Sequence, residues 1–296
     1  MSSPPPTQKN APAPATLSVE SERYGCLADG TEIKIFRLAN ARSIRISLLE
    51  WAATLASVET PDRQGRIAGI TLGCDSLPEW LANLSHFGST IGRCGNRIAG
   101  GRFCLDDQWY NLATNNAPAG VTCHLHGGAL GIHHRKWAGR IVRKSDAVGV
   151  AFSYAGPEGE EGYPGRLTVT VTYWLNNQNE LAIDFTARTT RATIVNLINH
   201  VYWNLSGDFA QAVEDHRIHL AAESFLPVNA GLIPTGELAP VAGTPFDFRS
   251  AKPIGRDLRA DNNQLHYGGG YDHCFVLSPE TGTRFAARVD DPQSGR

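Results

Sequence analysis

Leu167-Thr168-Val169-Thr170-Val171-Thr172-Tyr173-Trp174-Leu175 decides the fold. Alternate residues point to opposite faces of a strand. One face here carries Leu167, Val169, Val171, Tyr173 and Leu175, and the other carries the threonines. A half-buried strand of this strength needs neighbours. Leu181–Thr186 offers one across the turn Asn176-Asn177-Gln178-Asn179, and Ala138–Lys144 with Val148–Tyr154 offers a hairpin on the other side. Outward from there the period-two pattern recurs. It appears at Thr31–Leu38, after the turn Asp29-Gly30, at Ile44/Ile46/Leu48, at Leu55–Val58, at Ile67–Leu72 and at Arg217–Leu220. Gly, Pro, Asn or Asp breaks it every 8–12 residues or so, which is the mark of an all-β sandwich or barrel. Ser76-Leu77-Pro78-Glu79 reads as the start of a short helix, with Ser as cap and Glu three residues later. Ile194–Gly207 reads as a buried apolar strand running into the polar pair Asn199-His200 and out through aromatics.

Bulk properties narrow the function. The chain has 296 residues, a formal net charge of −2 and 42% apolar residues. Without a basic field or a long apolar run, neither nucleic acid nor membrane is an expected partner. Residues 1–16, rich in Pro, Ser and Ala, read as a disordered tail with no signal core. The remainder, 17–296, reads as one domain. Six cysteines, at 26, 74, 94, 104, 123 and 274, include no CxxC pair, so reduced thiols in the cytoplasm are expected.

The polar residues with chemistry cluster in Phe87–Gly128. Asn96-Arg97 and His124/His126 flank a hairpin, Arg102–Leu112, whose alternation runs through Phe103, Leu105, Trp109 and Leu112 and turns at Asp106-Asp107. The two clusters can therefore return to one neighbourhood. Amide, guanidinium and imidazole together suit a neutral polyhydroxylated ligand. His124-x-His126, with His133-His134 behind it, also has the spacing of metal ligands on a strand. A cupin-like metal enzyme is thus a competing reading. No cluster of Arg and Lys singles out a phosphosugar.

Six runs, in order, carry a resemblance. They are Gly92–Ala99, Leu125-His126-Gly127-Gly128, Glu161-Gly162-Tyr163-Pro164-Gly165, Asn199–Leu205, Ile233-Pro234-Thr235-Gly236-Glu237 and Gly270-Tyr271-Asp272-His273. With them the sequence resembles the aldose 1-epimerases. The resemblance implies a large antiparallel β-sandwich, a monosaccharide such as glucose or galactose as substrate, no cofactor and no metal, and a monomer or weak dimer. It implies that Asn96, Arg97 and Asp272 bind sugar hydroxyls, that His126 sits near the ring oxygen and that His200 is the general acid. His124, Arg93 and Asp247 are left as structural.

Two departures stand out. The family's Gly-Phe-Asp-Lys after His126 is here Gly131-Ile132-His133-His134, so the cleft wall is expected to differ. The family's general base is a glutamate well past the Asp-Pro-x-Ser-Gly-Arg turn, and this sequence stops on that turn, Asp291–Arg296. The resemblance therefore implies a C-terminally truncated domain lacking late strands, the base and a sugar-binding glutamine. A sugar-binding protein of this fold without catalysis is the corresponding alternative.

Overall fold

The computed structural model describes residues 16–277 and 279–296. The tail expected at the N-terminus falls, up to residue 15, outside the described residues. Five strands come first: β1 (Ser18–Cys26), β2 (Glu32–Ala39), β3 (Arg45–Leu49), β4 (Thr54–Pro61) and β5 (Ile67–Gly69), hydrogen-bonded in that order and all antiparallel. Helix α1 (Leu77–Leu81) follows, with Glu79 accepting from the Ser76 N–H at 3.1 Å as the cap pattern requires. Next come short pieces: β6 (Thr90–Ile91), β7 (Arg97–Ala99), the hairpin β8 (Arg102–Leu105) and β9 (Gln108–Asn111), and β10 (Cys123–Leu125). Asp106 and Asp107 both take positive φ, 50° and 59°, which closes that hairpin in two residues.

The second large sheet contains β11 (Ala138–Arg143), β12 (Ala147–Gly156), β13 (Leu167–Asn176) and β14 (Leu181–Thr189), again in chain order and antiparallel. Leu167, Val169, Val171, Tyr173 and Leu175 are all buried, facing Phe36, Leu38, Ile46, Leu48, Leu55 and Val58 of the first sheet. The Phe36 and Phe152 rings meet edge to face at 5.6 Å between the sheets. The architecture is the antiparallel β-sandwich that the alternation predicts. Burying side chains of this size contributes roughly 1.5–3 kcal/mol each, so the stripe on β13 alone outweighs any surface contact in the molecule.

Two readings need correction. Ile194–Gly207 is not a buried strand: β15 (Ile198–Asn199) is its paired strand, Asn196 and Trp203 make isolated bridges, and Val195, Tyr202 and Trp203 are exposed. It is a strap whose Leu197, Val201 and Leu205 pack, partly buried, against the core while Val195 and the aromatics face out. Ile67–Leu72 likewise pairs only over Ile67–Gly69, with Thr71 bridging to Trp203.

A second apolar nucleus, Phe225, Val241, Phe246 and Leu265, underlies the later segments. There β16 (Arg217–Leu220) pairs with Lys252–Pro253 and Ala287–Asp290, and β17 (Ala222–Phe225) with Ala239–Pro240 and Phe275–Leu277. Helix α2 (Asn263–Gly268) also lies here, unanticipated from the sequence. Asn262 caps it, accepting from Gln264 N–H at 2.9 Å, and Gly269 ends it at φ 63°. Among the described residues no helix is long and apolar enough to cross a membrane, and all six cysteines are free.

Candidate active site

Four segments far apart in the chain meet at a cleft of about 390 Å³. Asn96, Arg97, His126, His200 and Asp272 all line it, together with His86, Tyr202 and Cys274. Each of the three imidazoles here, His86, His126 and His200, stands at a strand end or in a loop. His126 is one residue past β10, and His200 is one residue past β15. The strands fix position, and the irregular residue aims the side chain.

The Asn96–His126 junction shows how. Asn96 lies at φ 61° and His126 at φ 53°, the left-handed region that Asn tolerates better than most residues. Two hydrogen bonds close the junction: His126 N–H donates to Asn96 O at 3.1 Å, and Asn96 N–H donates to His126 Nδ1 at 3.0 Å. Because Nδ1 accepts, the neutral His126 ring carries its proton on Nε2. Behind it, Gly127 sits at φ 82°, where a Cβ would stand 1.7 Å from Gly92 O. The backbones of two motif runs thus touch where only glycine fits.

Asn96 and Arg97 are a linked pair. Asn96 Oδ1 accepts from Arg97 N–H at 2.8 Å and from its guanidinium at 3.5 Å, which leaves the amide nitrogen to point toward Cys274 Sγ at 3.9 Å. Arg97 Nε donates to Asn116 Oδ1 at 3.2 Å. The strap bearing His200 is pinned on both sides: His200 N–H donates to Ser89 O, and Gly88 N–H to His200 O, each at 2.9 Å. Next to it, Asn199 Nδ2 donates to Gly88 O at 3.0 Å and to the buried Tyr173 hydroxyl at 3.1 Å, and that hydroxyl donates to Ala53 O at 2.8 Å. Asp272 is exposed, held on the loop after α2 by its N–H donating to Gly270 O.

The His126 and His200 rings cross at 89° with centroids 5.1 Å apart. Burial first, then His200, His86, Arg97 and His124, push the His126 pKa down to about 3. At neutral pH it is an uncharged donor. His200 is also lowered by burial, against which the Asp272 carboxylate works to keep its proton. The two imidazoles therefore differ in character, and His200 is the one with an anion favouring its charged form.

The residues left as structural are so placed. His124 is fully buried, with Nδ1 against Ala113 O and Nε2 against the Tyr163 hydroxyl, both at 2.6 Å. Its ring nitrogens are both used, and His126 lies beyond the strand end, so the two do not share a face. The geometry contradicts the metal reading on that ground. Among the described residues no three His, Cys, Asp or Glu are grouped to hold a metal ion. Arg93, 1% exposed, donates to the carbonyls of Pro157, Pro164 and Gly165. It props the loop that backs His124. Asp247 binds Arg249 at 2.9 Å. The residue that sequence reasoning missed is His86, which carries no motif around it. Its one signal was position, directly before Phe87.

Comparison with known proteins identifies the family. A family model described as aldose 1-epimerase matches residues 34–296. Galactose mutarotase of Sus scrofa is 40% identical over 281 residues, spanning 95% of this chain and 78% of that protein. Aldose 1-epimerase of Escherichia coli (strain K12) is 37% identical over 262 residues, 88% of this chain and 73% of that protein. The solved galactose 1-epimerase from Lactobacillus acidophilus NCFM overlays with a TM-score of 0.81 at 28% identity, covering 93% of this chain and 78% of that one. The chain belongs to the aldose 1-epimerase family, isomerases that interconvert the anomers of sugars.

Proposed function

We propose that residues 17–296 form one domain that interconverts the α and β anomers of an aldohexose, glucose or galactose, in this cleft, and that His200 is the general acid. Mutarotation requires a proton to reach the ring oxygen while the anomeric hydroxyl loses one. The ring opens to the aldehyde, the first carbon–carbon bond rotates, and the reverse transfers reclose it. His200 as imidazolium donates to the ring oxygen and recovers the proton on closure, while the anomeric proton passes to, and returns from, the general-base glutamate that the family resemblance implies and that no described residue of the cleft supplies. Burial makes it a stronger acid, and Asp272 retains part of the charged population. His126, neutral and with Nε2–H free of Asn96, steadies the same oxygen. Asn96, Arg97 and Asp272 orient hydroxyls, a task that suits an amide, a fork of donors and an acceptor. The likeness to galactose mutarotases supports the substrate class.

The observation that carries this reading is the crossed pair of imidazoles of unlike character in one cleft with Asn96, Arg97 and Asp272. One feature favours a rival, binding without turnover. Asp272 is the single carboxylate lining the cleft among the described residues, and it is already engaged as a hydroxyl acceptor in this reading. Polarimetry of freshly dissolved α-D-glucose and α-D-galactose separates the two. Catalysis shortens the decay of optical rotation in proportion to protein, and His200→Asn lowers kcat by about 10²–10⁴-fold. Sugar binding with decay at the buffer rate selects the rival.

A further inference from the structure

We propose that His86 is a sugar-contacting residue that sets specificity in this cleft, a third imidazole beside His126 and His200. The inference rests on the reading of the cleft as a sugar site. His86 lines that cleft, half-buried, with its ring 5.3 Å from His126 and 5.8 Å from His200, edge on to both. The backbone holding it is fixed. His86 N–H donates to Asn83 O at 3.2 Å, Ser89 N–H donates to His86 O at 3.1 Å, and the residue takes φ 57°. The ring itself makes no hydrogen bond to any described residue. A half-buried imidazole with both nitrogens unused by the described residues is supplied with a donor and an acceptor for something else.

What stands behind His86 strengthens the inference. The ring of His133, 4% exposed, packs edge on against it at 4.8 Å. His133 belongs to Gly131-Ile132-His133-His134, where this sequence departs from the family pattern. The departing loop does not line the cleft with His133; it reaches the cleft by bracing His86. Burial, then His200 and His134, hold the His86 pKa down to about 4. The neutral ring thus offers one donor and one acceptor, matching a hydroxyl, which is also both. An imidazolium would offer donors alone.

The test reads binding rather than turnover. Dissociation constants are taken by NMR titration for D-galactose, its 2-deoxy and 6-deoxy analogues, and D-glucose. Wild type is set against His86→Ala and His86→Gln. In wild type, the sugar lacking the contacted hydroxyl binds about tenfold more weakly than its parent. His86→Ala closes that gap by weakening the parent alone, and His86→Gln, which keeps a donor and an acceptor, reopens part of it. Unchanged constants, or equal weakening of every sugar, overturn the proposal. A wild-type protein that binds these sugars without speeding mutarotation overturns the catalytic reading and leaves the His86 test standing. One that binds none of them overturns both.

Discussion

The sandwich interior and the cleft at its end are built by opposite rules. The interior uses long ladders: β12 and β13 pair over ten residues without a break, and their facing side chains are apolar and fully buried. The cleft uses strands of two or three residues, β6, β7, β10 and β15. Its key residues occupy the left-handed region, as at His86, Asn96 and His126. Regularity places a segment to within a residue. Irregularity then turns one side chain out of the ladder and into open space. A site built wholly from ladder positions would alternate in and out of the core, and could not bring His86, His126 and His200 to one corner.

Variants can break that contrast. Phe152→Ala, at a fully buried ring between Phe36 and Tyr173, should cost about 3–5 kcal/mol of unfolding free energy. Urea titration measures it, and kcat per folded molecule should stay near wild type. A large kcat loss at full folding would mean the two regions are not separable. Gly127→Ala tests the seam between them. Its φ of 82° and the clash with Gly92 O should cost about 1–3 kcal/mol and, unlike Phe152→Ala, should also lower kcat by moving His126. Stability loss with intact kcat would show that His126 is aimed by something other than this contact.

Acid sensitivity tests the cleft side of the contrast. His86 and His126 have folded pKa values of about 4 and about 3, lowered from 6.5. The unfolded chain therefore binds more protons below pH 6.5, and the stability present above that pH is lost as pH falls through 4 and toward 3. The urea midpoint should decline over this window. Phe152→Ala should shift the whole profile down in parallel, whereas His86→Gln should flatten it between pH 6.5 and 4. A parallel shift for both would place the acid sensitivity elsewhere.

The same contrast explains what could be read from letters alone. The β13 stripe was legible because one face of a ladder repeats, and five apolar residues at period two admit one reading. The Asp106-Asp107 turn and the Ser76/Glu79 cap were legible because each is a local device. Ile194–Gly207 misled because its apolar letters divide between Leu197, Val201 and Leu205, packed on the core, and residues that face out. Val195 and Trp203 reveal their exposure only once the strap's partners are known. Helix α2 carried its signals, Asn262 before it and Gly268-Gly269-Gly270 at its end, but its six residues give too little period to stand out. His86 carried only its place before Phe87, because its value comes from His126, His133 and His200, which are 40, 47 and 114 positions away in sequence.

Tyr173 is the exception on its stripe, a buried residue whose hydroxyl reaches Ala53 and Asn199. Through that oxygen the interior reaches the strap bearing His200 at one point. Drift at the other stripe positions is filtered for a chain that holds together, whereas a change at Tyr173 also loosens the wall of the cleft.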